Sequence, residues 1–382
     1  MTRAPRAADV AFGLGLLVGV AVNLVVGAPA RHEAVIGYAD FSYVWAGPRT
    51  ILDGGDPYDP AQWSASVRRL GTEPYDDPAV YSYPPYVALE LLPLGAMPLA
   101  VADGIWLWGG LAAAAVSVLL LLRTYAVRSP AVAFVAALVL LVSQPSVFAF
   151  YGGQWSFVLV AALAVLGIAA ERRRALGGGV GAVVLLAKPQ IGVVILGGIA
   201  WRALRRGDRR VTRAVVAAAA AVVGLSAVAV PGWWLGWLEH VPLTRAGEPS
   251  LATLPSAVGV PAAVIGIGIA AVIAIRADVR SPVSAALWMT LGVVAAPYAR
   301  SYEQLLLVVP CVIACAGLSP RAGWAMGIAI ATVLIVLPWS IFVAISPVLG
   351  SERMSALVAV AAFALIAVRS RTPAATAPSS RR

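Results

Sequence analysis

Charge is scarce in this chain, and lysine is nearly missing. Of 382 residues only 12% are charged, and among the 28 basic residues a single lysine, Lys188, stands beside arginines. Two histidines, His32 and His240, and two cysteines, Cys311 and Cys315, complete a short supply of metal-ligating side chains. They form no Cys/His/Asp cluster with the spacing of a metal centre, so no protein-built metal site is expected. The cysteines lie one helical turn apart on one face, where a disulfide is geometrically poor, and read as packing residues. So little charge, against 60% hydrophobic residues and a mean hydropathy of +0.87, excludes an ordinary soluble domain. The net charge of +10 does not point to nucleic acid either. Its arginines fall in short clusters between apolar runs, as positive-inside topology signals do.

What is present is a succession of apolar runs of bilayer length, near 10–29, 101–122, 130–149, 155–170, 213–230, 257–275, 282–296, 304–318, 323–345 and 354–369. The segment 177–201 is flanked by Glu171 to Arg174 and by Arg205 to Arg210, both cytoplasmic by their arginines, so it crosses an even number of times. A tight helical hairpin with Lys188-Pro189 at its apex is expected. The count then reaches about twelve spans in an all-α polytopic membrane protein. Both termini lie inside, given Arg3 and Arg6 before the first span and Arg369, Arg371, Arg381 and Arg382 after the last. Arg123, Arg128, Arg276, Arg280 and Arg321 fall on the same side. The loop 30–82, the turn 152–154, the Trp-rich loop 231–256 and the turn 297–304 then face outward. The stretch 84–97, bracketed by Pro84, Pro85, Pro93 and Pro98, is short for a span and is expected to re-enter. No A-x-A-like cleavage site follows the first span, which reads as an uncleaved helix.

Lys188 sits at membrane depth and is followed at once by a proline. An ionisable group there costs about 2.5–3.5 kcal/mol on insertion scales, so it points to an internal site for something negative. Carboxylates gather in the first outward loop: Glu33, Asp40, Asp53, Asp56, Asp59, Glu73, Asp76 and Asp77. That loop is rich in Tyr, Trp, Gly and Pro, and is expected to fold as short amphipathic helices at the membrane surface. Asp40, beside Phe41 and Tyr43, reads either as a helix N-cap or as a general base in a partly dry pocket. Asp53, Asp56 and Asp59 read as turn residues. Gln154 in YGGQWS projects an amide beside a Gly pair. In PYARSYEQ, Arg300 and Glu303 lie between Tyr298 and Tyr302 or next to them, as an interfacial pair or as site residues. Trp233, Trp234 and Trp237 share one side of a helix and suggest an interfacial anchor.

Taken in order, Asp40 with Gly54 to Tyr58, Tyr83-Pro84-Pro85, Gly152 to Ser156, Ala187 to Gln190 and Ala296 to Gln304 resemble glycosyltransferase family 87. Its members are polyprenol-phosphate-mannose-dependent mannosyltransferases of the GT-C fold, including actinobacterial phosphatidylinositol-mannoside enzymes. The resemblance runs over roughly 30–310 and implies Asp40 as the catalytic base. The family often has Asp or His where this chain has Glu303 and Gln304.

On that resemblance the expected function is transfer of a hexose, mannose foremost and arabinose as the alternative, from a polyprenyl-phosphate sugar to a lipid-linked or glycan acceptor. The step is an inverting displacement on the extracytoplasmic side of the plasma membrane, needing no cofactor. Lys188 and Arg300 are the expected phosphate ligands, and Tyr58, Tyr83, Gln154, Tyr302 and Glu303 the expected substrate contacts. Membrane lipids are the other partners. One integral membrane domain is expected over 1–370, with a GT-C catalytic module over 1–230, more variable helices over 231–370 and a disordered cytoplasmic tail over 371–382. A transporter or flippase of an anionic lipid-linked substrate is the alternative, since broken helices around a buried cation also describe carriers. The two halves show no internal repeat.

Overall fold

The computed structural model describes residues 6–23, 25, 40–69, 80–235, 259–297, 299–345, 347 and 353–371, and among them no strand occurs. The helices in chain order are α1 (Ala7–Val22), α2 (Asp40–Leu52), α3 (Pro60–Arg69), α4 (Pro85–Glu90), α5 (Leu92–Gly95), α6 (Leu99–Thr124), α7 (Pro130–Val142), α8 (Gln144–Gly152) and α9 (Ser156–Arg172). They continue with α10 (Ala175–Leu185), α11 (Pro189–Arg205), α12 (Arg209–Ala229), α13 (Gly259–Arg276) and α14 (Pro282–Val294). A 3-10 segment (Ser301–Leu307) then runs into α15 (Val308–Ala314), followed by α16 (Pro320–Ile345) and α17 (Ala356–Arg371). Arg3, His32, Glu33, Glu73, Asp76, Asp77, Trp237, His240, Tyr298 and the tail from 372 lie outside the described residues.

A repeated local signal starts these helices. Ser129, Ser143, Ser281 and Ser319 each precede a proline in the first turn, and each hydroxyl accepts a backbone N–H: from Val132 (3.4 Å), Ser146 (3.2 Å), Val283 (3.3 Å) and Ala322 (3.3 Å). Serine satisfies an otherwise unpaired donor, and proline supplies a fixed φ where no N–H is needed. The same chemistry divides one span. Pro145 has no N–H to give to the turn behind it, so α7 stops at Val142 and α8 leaves at 41°.

Among the described residues three helices are long and apolar enough to cross a membrane alone, α6, α12 and α16, and the bent pair α7–α8 makes a fourth if counted as one. The other apolar helices are shorter than the roughly 20 residues of a straight span. The helices α4 and α5 together cover only about 16 Å at 1.5 Å per residue, too little to cross. They fold back against α2, whose Trp45 Nε1 donates to the carbonyls of Leu94 and Met97, both at 3.1 Å.

Polar contacts sort the helix ends into two groups. At one end Arg123 meets Asp9 (3.2 Å), Arg206 meets Glu171 (3.5 Å), Arg202 donates to the Ser281 carbonyl (3.1 Å) and Arg369 to that of Ala316 (3.2 Å). At the other, Asn23 donates to the Leu141 carbonyl (2.6 Å), Tyr86 N–H to Ser226 Oγ (3.3 Å) and Gln144 to Ser301 Oγ (3.2 Å). The Glu171–Arg206 pair has a topological consequence. It ties the end of α9 to the end of α11, so α10 leaves that end and α11 returns to it, with the chain reversing at Lys188. The reversal is tight because Gly192 sits where a Cβ would lie 2.5 Å from the Leu185 carbonyl oxygen.

Candidate active site

The sequence motifs meet at the end of the bundle opposite Glu171 and Arg206. Asp40 occupies the first turn of α2, at the end of the helix whose dipole suits negative charge. Its partner comes from the GGQ turn. Helix α8 ends in Gly153, which takes the left-handed conformation (φ 60°, ψ 37°) and reverses the chain so that Gln154 N–H bonds the Ala149 carbonyl at 2.9 Å. This brings the buried Gln154 side chain back, and its Nε2 donates to Asp40 Oδ2. Two further contacts hold the turn against α2. Trp106 Nε1 donates to the Gly153 carbonyl at 2.9 Å, and the Trp106 ring stacks on Phe41 at 5.6 Å. A Cβ on Gly153 would lie 2.6 Å from that of Phe41, so no larger residue fits there without displacing the helix of Asp40.

Lys188 caps α11 and enters the same region from the hairpin apex. Its Nζ pairs with Glu303 Oε1, with 8% and 2% of the two side chains exposed. The other Glu303 oxygen, Oε2, accepts the Arg300 backbone N–H at 2.9 Å. The negative partner that the structure gives Lys188 is thus the chain's own Glu303, and both oxygens of that carboxylate are engaged. Lys188 Nζ also lies 5.0 Å from the centre of the Tyr302 ring. Tyr302 in turn stands within electrostatic reach of Glu303, Asp40, Arg300 and Tyr83, and so joins the two halves of the site. The Arg300 residue is exposed.

A row of aromatic rings walls the site on the loop side. Tyr58 and Tyr81 meet edge to face at 6.1 Å, Tyr81 and Tyr83 lie 5.4 Å apart, Tyr83 and Trp155 5.6 Å, and Trp155 and Trp106 4.7 Å. Tyr58 spends its hydroxyl on the Tyr83 carbonyl at 2.5 Å. Burial, then the neighbouring Tyr81 and Asp56, push its phenol well above the usual value, so it stays protonated as a donor. Its place is behind Tyr83, holding that backbone. Two turn aspartates act locally, Asp56 Oδ1 accepting Tyr58 N–H (2.8 Å) and Asp59 Oδ1 accepting Gln62 N–H (2.8 Å) at the start of α3, whereas Asp53 pairs with Arg49 and with Arg69 at the end of α3.

Sequence reasoning passed over Tyr81, Trp106 and Asp103, and named Phe41 and Trp155 only as neighbours of Asp40 and Gln154. Trp155 adjoins the GGQ turn, and Tyr81 is two residues before Tyr83, so motif adjacency would have placed both in the site. Asp103, on α6, lies beside Gly153 and carries no local signal. Among the described residues no three His, Cys, Asp or Glu side chains converge as a metal site would require.

Among the described residues an interior ion pair, a carboxylate and an aromatic wall thus meet at one end of an apolar helical bundle, as the parts of a candidate active site in a membrane protein. The sequence model of glycosyltransferase family 87 matches residues 81–300, more than half of the chain, and the chain belongs to that family. It is a membrane glycosyltransferase, and the carrier reading gives way to an enzyme. The matched span includes Tyr83, Gln154, Lys188 and Arg300, whereas Tyr302 and Glu303 lie just beyond its end and Asp40 and Tyr58 well before its start. No curated protein matches the chain.

Proposed function

We propose that this glycosyltransferase moves a hexose, mannose foremost, from a polyprenyl-phosphate donor to a hydroxyl of a lipid-linked or glycan acceptor by single inverting displacement. The observation that carries the reading is the placing of Asp40, oriented by Gln154, in the same cluster as the Lys188–Glu303 pair and Arg300. Asp40 takes the proton from the acceptor hydroxyl as its oxygen bonds the anomeric carbon. On the opposite face the bond from that carbon to the phosphate oxygen breaks, and the electron pair leaves with the polyprenyl phosphate.

Charge supports the division of roles. Lys188 and Arg300 balance Glu303 and Asp40 before the step, and once Asp40 has taken the acceptor proton one net positive charge is left for the departing phosphate. Glu303 acts by fixing Lys188 and the Arg300 backbone, Tyr83 and Tyr302 line the sugar, and Tyr58 holds Tyr83. These residues supply the acid–base and electrostatic needs of the step without a cofactor. Sidedness follows from the arginines: Arg123, Arg202, Arg206 and Arg369 mark the opposite end, which the positive-inside rule assigns to the cytoplasm of a plasma membrane. The site then faces outward in a GT-C bundle of about twelve crossings, with the shorter helices and the hairpin included.

The test is purified chain in lipid vesicles, given polyprenyl-phosphate mannose or polyprenyl-phosphate arabinose and a glycolipid acceptor, with Asp40→Asn alongside. Transfer should fall by about 10²–10⁴ in the variant with its fold intact. Equal rates in the two proteins remove Asp40 as base.

A further inference from the structure

The short helix α4 ends in a charge that the transfer site does not use. Glu90 follows Tyr86 by four residues, so the two share a face of α4. Tyr86 fixes that face against the bundle, its hydroxyl donating to the Val183 carbonyl at 3.1 Å and its N–H to Ser226 Oγ at 3.3 Å. Glu90 lines a groove of about 790 Å³ together with Ala175, Gly179, Val180 and Val183 of α10 and Ala214 of α12, among others. Every lining residue but Glu90 is apolar. Ala175, Gly179 and Val183 follow one another at four-residue spacing, so the groove runs for about 12 Å along one face of α10 at 1.5 Å per residue. Its floor is low because a Cβ on Gly179 would meet only the Ala214 carbonyl oxygen, at 3.7 Å. Its rim, Leu176 and Val180, is 82% and 51% exposed, as residues turned towards lipid are.

The bond from Tyr86 to Val183 puts the carboxylate at the Val183 end of the groove, five residues before Lys188 and so at the same end of the bundle as the transfer site. Among the described residues no hydrogen bond or ion pair engages that carboxylate. An ionised carboxylate only accepts hydrogen bonds, so it suits a head that donates them and repels one that is itself a phosphate. The occupant that satisfies both features carries an apolar chain and a head rich in hydroxyls. We propose that this groove holds the lipid chain of the acceptor, with Glu90 accepting hydroxyls of its head. The proposal rests on the transfer reading above and narrows its acceptor to a lipid-linked one.

The experiment gives the full chain in neutral detergent either dodecyl mannoside or dodecyl phosphate, the same apolar chain under a hydroxylated or an anionic head, and reads retention by native mass spectrometry. Wild type should retain the mannoside in preference to the phosphate. Glu90→Gln should cut retention of the mannoside by about ten-fold, as the loss of hydrogen bonds to a charged group does. Gly179→Leu fills the groove and should cut it by about as much through lost chain contact. In vesicles supplied with polyprenyl-phosphate mannose, both variants should raise the KM for dodecyl mannoside and leave the donor KM unchanged. Glu90 is exposed, so Glu90→Gln tests the site even if Gly179→Leu fails to fold. A preference for dodecyl phosphate, or equal retention of the mannoside by wild type and Glu90→Gln, overturns the proposal. So does a rise confined to the donor KM, which would give the groove to the polyprenyl chain. Retention of the mannoside with no transfer by wild type would instead sink the transfer reading alone, and the groove would stand as a glycolipid site.

Discussion

Lys188 and Glu303 place two opposite charges where water is nearly excluded. In such surroundings the attraction roughly offsets the desolvation of both ions, while removing one partner leaves a stranded charge costing about 3–5 kcal/mol. Lys188→Met and Glu303→Gln should therefore each lower the unfolding temperature markedly. The double variant should be more stable than either single one, a coupling that a thermal-unfolding cycle in detergent measures. Simple additivity would mean that the two side chains do not depend on each other. Lys188→Arg keeps the charge but changes its shape, and should raise the donor KM more than it lowers stability. The sequence announced Lys188 through its rarity and depth. It could not name Glu303 as the counter-ion, because the two are 115 residues apart and meet only once the hairpin has packed against the 3-10 segment.

At the scale of elements, the GGQ turn shows how local rules were readable and their consequence was not. A Gly pair after an apolar helix announces a left-handed cap, and Gly153 adopts one. That the returning Gln154 would bond Asp40 depends on the start of α2 lying against the turn after α8, which no local pattern states. Gly153→Ala meets a twofold penalty: about 1–2 kcal/mol for the left-handed backbone, and a clash with Phe41. We expect transfer to fall in this variant more than stability does, since the displaced group is Gln154 beside Asp40, the proposed base. Initial rates set against thermal unfolding check it, and a proportional loss of both would assign the turn a purely structural role. Asp56, Asp59 and the Ser-Pro helix starts are legible from local sequence, because each acts within three residues of itself, whereas Asp53 reaches Arg69 sixteen residues on. Span lengths were less so. Apolar composition marks where chain can enter a bilayer, but Pro145 and Pro189 decide where a rod breaks.

For the whole molecule, the separation of its two ends carries the proposed sidedness of the reaction. Thiol labelling tests it with an introduced cysteine at an exposed position near each end, the native Cys311 and Cys315 being buried. In intact cells an impermeant maleimide should react with Ala61→Cys on α3, whereas Arg210→Cys on α12 should react only after permeabilisation. The reverse pattern would turn the active site towards the cytoplasm. The sequence by itself determined the solvent and the local grammar of this protein: its low charge and long apolar runs commit it to a membrane, its arginines sort its helix ends, and its Ser, Pro, Gly and Asp residues start, break and turn its helices. The tertiary structure alone decided that Gln154 serves Asp40, that Glu303 answers Lys188 and that Tyr302 stands between them. Such pairings depend on which helix faces pack together, a property of the whole bundle that no stretch of chain encodes within its own few turns.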